Sequence, residues 1–174
     1  IWSAASSSGE EAYTIAMSLA EHSASSSWEV IGTDISSRML EKASRGLYPM
    51  TSAEKIPLAL LRKYCLKGKD EYEDFFLIDK HLRDKVHFSS INLIEALPDL
   101  GMFEVIFLRN VMIYFDLDTK KRLVHRIIEK LRPGGYFIIS HSETLNGLDA
   151  PLKQIAPAVY QRPDRGRQHQ SRLV

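Results

Sequence analysis

Residues 103–116 read Phe103-Glu104-Val105-Ile106-Phe107-Leu108-Arg109-Asn110-Val111-Met112-Ile113-Tyr114-Phe115-Asp116. The apolar run that ends at Leu108 lies between Gly101 and the polar pair Arg109-Asn110, a pattern typical of a central strand buried on both faces. Ligands of open α/β sheets bind outside the carboxyl ends of such strands. The segment therefore predicts a parallel sheet and places Arg109, Asn110 and Tyr114 at its ligand-binding edge.

Short β-rich runs alternate with amphipathic helical runs on both sides of this segment, which predicts an α/β fold built from parallel βαβ units. The further predicted strands are Ile1–Ala4, Trp28–Thr33, Tyr136–Ser140 and Ala158–Tyr160. The predicted helices run from Glu10 past Leu19, from the N-cap Ser36 to the stop at Gly46, and from Asp118 to Leu131.

The alternation breaks between Tyr48 and Phe88. Ser52 is predicted to cap a helix, and three short apolar runs follow, separated by charged loops. These runs predict a small antiparallel β-subdomain inserted at about residues 64–88, with strands at Tyr64–Leu66, Phe75–Ile78 and Val86–Phe88.

The composition is that of an ordinary globular protein: 174 residues, 44% hydrophobic and 26% charged. It excludes collagen-like and disordered classes. No apolar run approaches the roughly 18 residues of a membrane-spanning helix, so membrane insertion is not expected. The single Cys65 cannot form an internal disulfide, which favours a reducing, cytoplasmic location.

The charge balance argues against a nucleic-acid partner. Lys and Arg number 23 against 22 Asp and Glu, giving a formal net charge of +1. The basic residues concentrate on the predicted helix after Asp118, and at this spacing they indicate a solvated helix face. They are Lys120, Lys121, Arg122, Arg126, Lys130 and Arg132.

The loop from Ala4 to Glu11 joins the first strand to the first helix, where α/β sheets bind nucleotide-type cofactors. Its single Gly9 does not form a dinucleotide fingerprint, and Glu10 and Glu11 would repel a pyrophosphate. A cationic cofactor such as S-adenosylmethionine suits the loop better, with Glu11 pairing its ammonium group. The alternative is that both carboxylates only complement the helix dipole.

Two further positions suit an adenosine group. Asp34 follows the second strand 23 residues after Glu11, near the offset at which an acidic residue contacts ribose; the alternative is a turn or helix-capping role. Asn92-Leu93 follows a third candidate strand and offers amide hydrogen bonds and an apolar wall to an adenine.

The sequence gives little support for a catalytic acid–base pair or for a metal site. His141-Ser142-Glu143 ends a strand, but no nucleophile elbow accompanies it, and His141 is interpreted as a hydrogen-bonded core residue. The remaining histidines lack metal-ligand spacing, so no metal is expected. For Arg109, Asn110 and Tyr114 the alternative to ligand contact is a strand end with an aromatic cover.

Taken in order, these motifs resemble the CheR-type chemotaxis receptor glutamate O-methyltransferases. The similarity runs from Ile1 to about Tyr160 and includes Leu131-Arg132-Pro133-Gly134-Gly135. It implies a Rossmann-like class I S-adenosylmethionine-dependent methyltransferase fold with a small β-subdomain. It also implies that Glu11 holds the methionine ammonium, Asp34 the ribose, Asn92 and Leu93 the adenosine, and Arg109 and Asn110 the cofactor's other side. Tyr114 is the implied catalytic residue at the methyl-transfer site.

The function implied by the resemblance is methyl transfer from S-adenosylmethionine to receptor glutamates, with S-adenosylhomocysteine as the product. A glutamate with a pKa of about 4.3 is ionised at neutral pH and needs no general base. The implied partner is the cytoplasmic domain of a methyl-accepting chemotaxis receptor. Alternatives are a cofactor-binding module without turnover and a methyltransferase for another carboxylate or a small molecule.

Two features differ from the family pattern. Some members bind a receptor C-terminal peptide at the β-subdomain through basic residues, which Phe76-Leu77-Ile78-Asp79 lacks; Phe75–Ile78 is nevertheless the predicted rim strand for such a peptide. Members also carry a preceding helical domain; because the sequence starts at Ile1, we expect a fragment that lacks this domain. We expect a catalytic domain at residues 1–162 and a polar, disordered tail at 163–174.

Overall fold

The computed structural model of the chain describes residues 1–25 and 27–164. Five α-helices lie in this part: α1 (Glu10–His22), α2 (Ser37–Arg45), α3 (Leu58–Tyr64), α4 (Lys80–Arg83) and α5 (Leu117–Glu129). Short 3₁₀ helices occupy Met50–Lys55, Asp70–Tyr72 and Met112–Tyr114. The same residues contain ten strands: β1 (Trp2–Ser3), β2 (Val30–Asp34), β3 (Leu47–Pro49), β4 (Cys65–Lys67), β5 (Phe75–Ile78), β6 (Val86–Ser90), β7 (Phe103–Leu108), β8 (Leu131–Ile139), β9 (Lys153–Ala156) and β10 (Val159–Gln161).

The chain divides into two compact units. The first unit combines Ile1–Ala5 with the chain from Asn92 onward, and the second unit is Ser6–Ile91. In the first unit β1 and β8 both run parallel to β7, and β10 lies antiparallel between β8 and β9. The parallel pair β7 and β8 is connected through α5, as predicted for a βαβ unit.

The core of the first unit forms where α5 packs against the sheet. The apolar face of the helix, with Leu123, Val124, Ile127 and Ile128, is almost fully buried. Trp2 stacks on Phe103 with ring centroids 5.4 Å apart. These apolar contacts fix the strands that end at Leu108 and Ile139, where the candidate site residues of this unit begin.

The second unit contains a parallel pair, β2 and β6, and a separate small sheet in the order β3-β5-β4. Both pairings of the small sheet are antiparallel. The core of the second unit is aromatic, since Tyr13 contacts both Tyr48 and Phe88 edge to face and Tyr48 packs on Phe76.

The bounds predicted for the small antiparallel sheet, about 64–88, are wrong. Val86–Ser90 pairs parallel with Val30–Asp34, and the third strand of the small sheet is Leu47–Pro49 instead. A short apolar run such as Val86–Phe88 predicts a strand but not its partner, because periodicity carries no information about pairing. Leu47–Pro49 is three residues long and ends in proline, which hides the strand signal.

Capping residues and helix-breaking residues explain the boundaries of several helices. Ser36 accepts a hydrogen bond from the Met39 N–H, and Gly46 ends α2 with a φ of 63°, both as predicted. The helix predicted to start at Ser52 starts after Pro57 instead. Arg132-Pro133-Gly134-Gly135 does follow the end of α5, yet these residues already belong to β8.

Two further expectations concern the membrane and the end of the chain. None of the helices described at residues 1–25 and 27–164 is long and apolar enough to cross a membrane. The predicted disordered tail falls, from residue 165 onward, outside the described residues.

Candidate functional site

The loop that precedes α1 is shaped by the aromatic core of the second unit. Gly9 has a φ of 92°, and a Cβ at this position would lie 2.8 Å from Ala43 Cβ and 3.0 Å from the Phe88 ring. The Tyr48 hydroxyl donates a hydrogen bond to the Ser8 carbonyl at 2.7 Å. Only glycine fits this turn, because the position requires both a left-handed backbone and the absence of a side chain.

Asp34 joins this loop to the end of β2. Its Oδ2 accepts a hydrogen bond from the Ser7 N–H and its Oδ1 accepts one from the Ser36 N–H, both at 2.9 Å. The turn role considered for Asp34 is therefore present. Each carboxylate oxygen keeps one further lone pair, so a ribose hydroxyl can still donate to it.

Negative charge is concentrated at the start of α1. Glu10 and Glu11 occupy the first turn, and Gly9 supplies no capping side chain. Glu10 Oε2 accepts a hydrogen bond from the Ser8 hydroxyl at 2.7 Å, whereas Glu11 is half-buried. Both carboxylates complement the helix dipole, and the arrangement favours a cation over a phosphate at this position.

Tyr13 and Tyr48, which sequence reasoning did not single out, pack beneath the loop that precedes α1 and help to hold it in place. The Tyr13 hydroxyl donates to the Ala43 carbonyl at 2.8 Å. Burial raises the pKa of Tyr13 to about 12, an effect that the charge of Arg83 partly offsets. Burial, together with the charge of Glu10, also raises the pKa of Tyr48. Both phenols are thus neutral donors at physiological pH.

Asn92 and Leu93 begin a turn of the first unit. Asn92 Nδ2 donates to Glu95 Oε1 at 2.8 Å, and its Oδ1 accepts from the Ile94 N–H at 3.2 Å. Leu93 is 7% exposed, and its carbonyl accepts a hydrogen bond from Arg126 at 3.1 Å. The turn is therefore rigidly held, and the Asn92 side chain takes part in holding it.

Arg109, Asn110 and Tyr114 follow β7 as predicted. Arg109 is half-buried, Asn110 is exposed with a φ of 58°, and Tyr114 in the 3₁₀ helix is 76% exposed. Ile113 and Leu117 are each 55% exposed. The segment therefore presents an open apolar surface with a phenol, and Tyr114 does not act as a buried aromatic cover.

Glu143 holds this segment in place, a role that its motif did not reveal. Its carboxylate accepts hydrogen bonds from the backbone N–H groups of Asn110, Val111, Met112 and Ser140. The neighbouring His141 is exposed, so its interpretation as a core residue is wrong. The signal available in the sequence was only a carboxylate just after a strand at the same sheet edge.

The basic residues predicted to form a solvated helix face lie on α5 and in the segment that follows it, and most of them are only partly exposed because they form contacts within the first unit. Lys121 pairs with Asp149 at 2.9 Å and Arg132 with Glu104 at 2.8 Å. Arg126 donates to backbone carbonyls. Within the described ranges, residues 1–25 and 27–164, no group of three or more His, Cys, Asp or Glu side chains could hold a metal ion.

The sequence-predicted residues thus fall into separate local clusters. In the second unit, the loop before Glu11 is hydrogen-bonded to Asp34 through Ser7. In the first unit, Asn110 is held by Glu143, and Asn92 bonds to its own turn. Each cluster lies at the end of a strand, as the parallel-sheet interpretation requires.

A solved structure shares this architecture. The structure of PKMT2 from Rickettsia typhi superposes with a TM-score of 0.50, covering 79% of this chain and 20% of that one. The sequence identity is 12%, so the likeness concerns the fold alone.

Sequence comparison is more specific. A family model described as CheR methyltransferase, SAM binding domain, matches residues 1–160. The chemotaxis protein methyltransferase of Salmonella typhimurium is 38% identical over 92% of this chain and 57% of its own length. That of Borreliella burgdorferi is 39% identical over 93% of this chain and 58% of its own.

The chain spans somewhat more than half the length of these relatives. Its βαβ architecture and the family match together confirm the predicted Rossmann-like methyltransferase fold with a small antiparallel sheet. The chain belongs to the family of CheR methyltransferase SAM-binding domains.

Proposed function

We propose that this protein binds S-adenosylmethionine and transfers its methyl group to glutamate side chains of chemotaxis receptors in the cytoplasm. The relatives that match most of the chain are named chemotaxis protein methyltransferases. The structural observation that carries the proposal is the acidic start of α1, because it suits a sulfonium cofactor and disfavours the pyrophosphate of a dinucleotide.

In the second unit, Glu11 and Asp34 are the proposed cofactor ligands. Glu11 pairs with the methionine ammonium, and Asp34 accepts a hydrogen bond from a ribose hydroxyl. The two amide hydrogen bonds to Asp34 support this role, since they fix both carboxylate oxygens while leaving each a lone pair. The loop before α1 is preorganised for the cofactor by the same contacts.

In the first unit, Asn92 and Leu93 border the adenosine, and Arg109 and Asn110 contact another side of the cofactor. Asn92 keeps one amide hydrogen and one lone pair for an adenine, because Glu95 and Ile94 use the others. The buried Leu93 supplies an apolar wall.

Tyr114 is the proposed catalytic residue. The methyl donor supplies an electrophilic carbon, and the receptor glutamate is already ionised at neutral pH, so no general base is needed. The work of the protein is to align the carboxylate with the methyl carbon and to exclude water. The high exposure of Tyr114 leaves its phenol accessible to an incoming acceptor side chain.

A receptor C-terminal peptide is a second proposed partner, and its site needs a correction. Phe75–Ile78 was predicted as the rim strand, but β5 lies at the centre of the small sheet and is paired on both sides. Of the edge strands, β3 includes Pro49, which has no N–H to offer, whereas β4 has the exposed Leu66 and Lys67. We therefore assign strand addition to β4.

Isotope transfer tests the proposal. The protein is incubated with methyl-labelled S-adenosylmethionine and a receptor cytoplasmic fragment, and calorimetry compares S-adenosylhomocysteine with NAD. We expect label in the receptor and tighter binding of S-adenosylhomocysteine. Cofactor binding without methyl transfer to any acceptor would show that the protein is a binding module. Transfer only to other carboxylates would indicate a methyltransferase with a different substrate. Tighter binding of NAD would overturn the assignment of S-adenosylmethionine as the cofactor.

A further inference from the structure

We propose that Glu143 is a positioning residue that sets the conformation of the Asn110–Met112 turn and, through it, the placement of Tyr114. The inference rests on the proposed function and adds a residue to it. Glu143 lies 33 residues from Asn110 in the chain, and the hydrogen bond joins the segment after β7 to the segment after β8.

Four backbone N–H groups converge on the Glu143 carboxylate. Oε2 accepts from Asn110 at 3.1 Å and from Ser140 at 3.0 Å. Oε1 accepts from Val111 at 3.2 Å and from Met112 at 3.0 Å. Three of the four donors are consecutive residues, so a single side chain satisfies a whole backbone turn.

The turn needs such a partner. Asn110 has a φ of 58°, which is uncommon for a residue with a side chain, and the next residue leads into the 3₁₀ helix Met112–Tyr114. Successive N–H groups that point to one side form a concave nest for an anion. Without the carboxylate, three neighbouring amides would lose their acceptor, and the uncommon backbone conformation of the turn would no longer be stabilised.

The backbone of Glu143 is itself fixed. The Glu143 N–H donates to the Ser140 carbonyl at 3.0 Å, which closes a short turn directly after β8. The ends of β7 and β8 are in register, with Leu108 opposite Ile139. Glu143 therefore transmits the position of a paired, buried strand end to the exposed segment that carries Tyr114.

The same geometry excludes an acid–base role for Glu143. A carboxylate offers about four lone-pair sites, and four backbone donors use them. No site is left to accept a proton from a substrate. The carboxylate acts on the reaction only through the backbone that it holds.

Glu143→Gln tests the inference because it keeps the shape and replaces one acceptor oxygen by an NH₂ donor. Two backbone N–H groups then face another donor. Glu104→Gln is the matched control, since Glu104 is exposed on β7 and forms a surface ion pair with Arg132. Ile128→Val, in the buried face of α5, controls for a general loss of stability.

Turnover, cofactor affinity and amide hydrogen exchange are measured on all four proteins. In Glu143→Gln we expect kcat to fall about 10- to 100-fold, because the methyl-transfer residue is misplaced. The KM for S-adenosylmethionine should rise by a smaller factor, because Asn110 of the same turn is a proposed cofactor contact. Amide exchange at Asn110–Met112 should accelerate, exchange at Ile106 should not change, and the Tyr114 ring resonances should shift. Both controls should keep the wild-type kcat per folded molecule.

A Glu143→Gln protein with the kcat of Ile128→Val and unchanged exchange at Asn110–Met112 would overturn the inference. The proposed function fails separately, if the wild-type protein transfers no methyl group to a receptor. In that case the exchange rates and the Tyr114 resonances still decide whether Glu143 places the turn.

Discussion

The Ser7 N–H donates a hydrogen bond to Asp34 Oδ2 across 27 residues of sequence, at 2.9 Å. The other oxygen of the same carboxylate binds the Ser36 N–H, so Asp34 fixes both the loop before α1 and the N-cap of α2. The loop that is proposed to meet the cofactor therefore depends on a side chain from the neighbouring strand end.

Asp34→Asn should weaken both folding and cofactor binding. The new NH₂ group must face one of the two backbone donors, and losing a hydrogen bond to a charged group typically costs about 1.5–3 kcal/mol. Urea unfolding and calorimetry with S-adenosylhomocysteine measure the two effects. Asp99→Asn is the control, since its side chain is 96% exposed and lies 3.8 Å from Lys130. If Asp34→Asn and Asp99→Asn had the same unfolding free energy and the same affinity for S-adenosylhomocysteine, Asp34 would not be a cofactor ligand.

Glu11→Gln should lower the affinity for S-adenosylmethionine by about 1.5–3 kcal/mol, the usual scale for a charged hydrogen bond. Glu10→Gln carries the same charge change in the same helical turn, where the dipole effect alone amounts to about 0.3–1 kcal/mol. Calorimetry on both variants separates the ammonium contact from the dipole. Equal losses for Glu10→Gln and Glu11→Gln would leave Glu11 with the dipole role alone.

Tyr114→Phe should lower kcat while the affinity for the cofactor changes by less than about threefold, because a contact made mainly in the transition state does not stabilise the ground state. Because the phenol is exposed, its removal should leave the folding stability unchanged. Tyr136→Phe, at a side chain that is 40% exposed in β8, serves as the control. A collapse of affinity with unchanged turnover of the bound cofactor would identify Tyr114 as a binding residue instead.

Alkaline pH should destabilise the fold through Tyr13. Its pKa is about 12 in the folded state against 10 when unfolded, so above pH 10 the unfolded chain binds fewer protons than the folded one. The contribution is fully present below pH 10 and is lost as the pH rises toward 12, a change of about 2–3 kcal/mol. Urea unfolding between pH 9 and 11 should show a steeper decline for the wild-type protein than for Tyr13→Phe. Parallel declines would contradict the assignment.

Receptor C-terminal peptides, titrated into labelled protein, should shift the amide resonances of β4 if strand addition occurs there. A scrambled peptide of the same composition is the control. Shifts confined to residues 109–116 would mean that the receptor contacts only the methyl-transfer segment and that the small sheet is a structural element.

Local sequence signals were sufficient to predict the elements whose ends are marked by capping residues or by the end of an apolar run. Ser36 and Gly46 predicted both ends of α2, and the apolar run to Leu108 predicted β7, because caps and buried runs act over a few residues. Pairing was not predictable in the same way. Val86–Phe88 joined β2 instead of the small sheet, since partner choice depends on distant residues.

The candidate site shows the same division. The acidic turn at Glu10 and Glu11 and the strand-end position of Asp34 are visible in the sequence. The role of Glu143 is not, because its four partners are backbone groups, which every residue type except proline can supply. The discounted His141-Ser142-Glu143 motif thus contained a structural carboxylate, while its histidine is exposed.

Mass spectrometry of a receptor cytoplasmic fragment tests the central claim most directly. The fragment is incubated with S-adenosylmethionine and either the wild-type protein or Tyr114→Phe, digested, and compared before and after mild base. The account predicts base-labile methyl esters on specific glutamates with the wild-type protein, and far fewer at equal times with Tyr114→Phe. Base-stable methyl groups on other side chains, or no methylation of the receptor while the cofactor is bound, would contradict it.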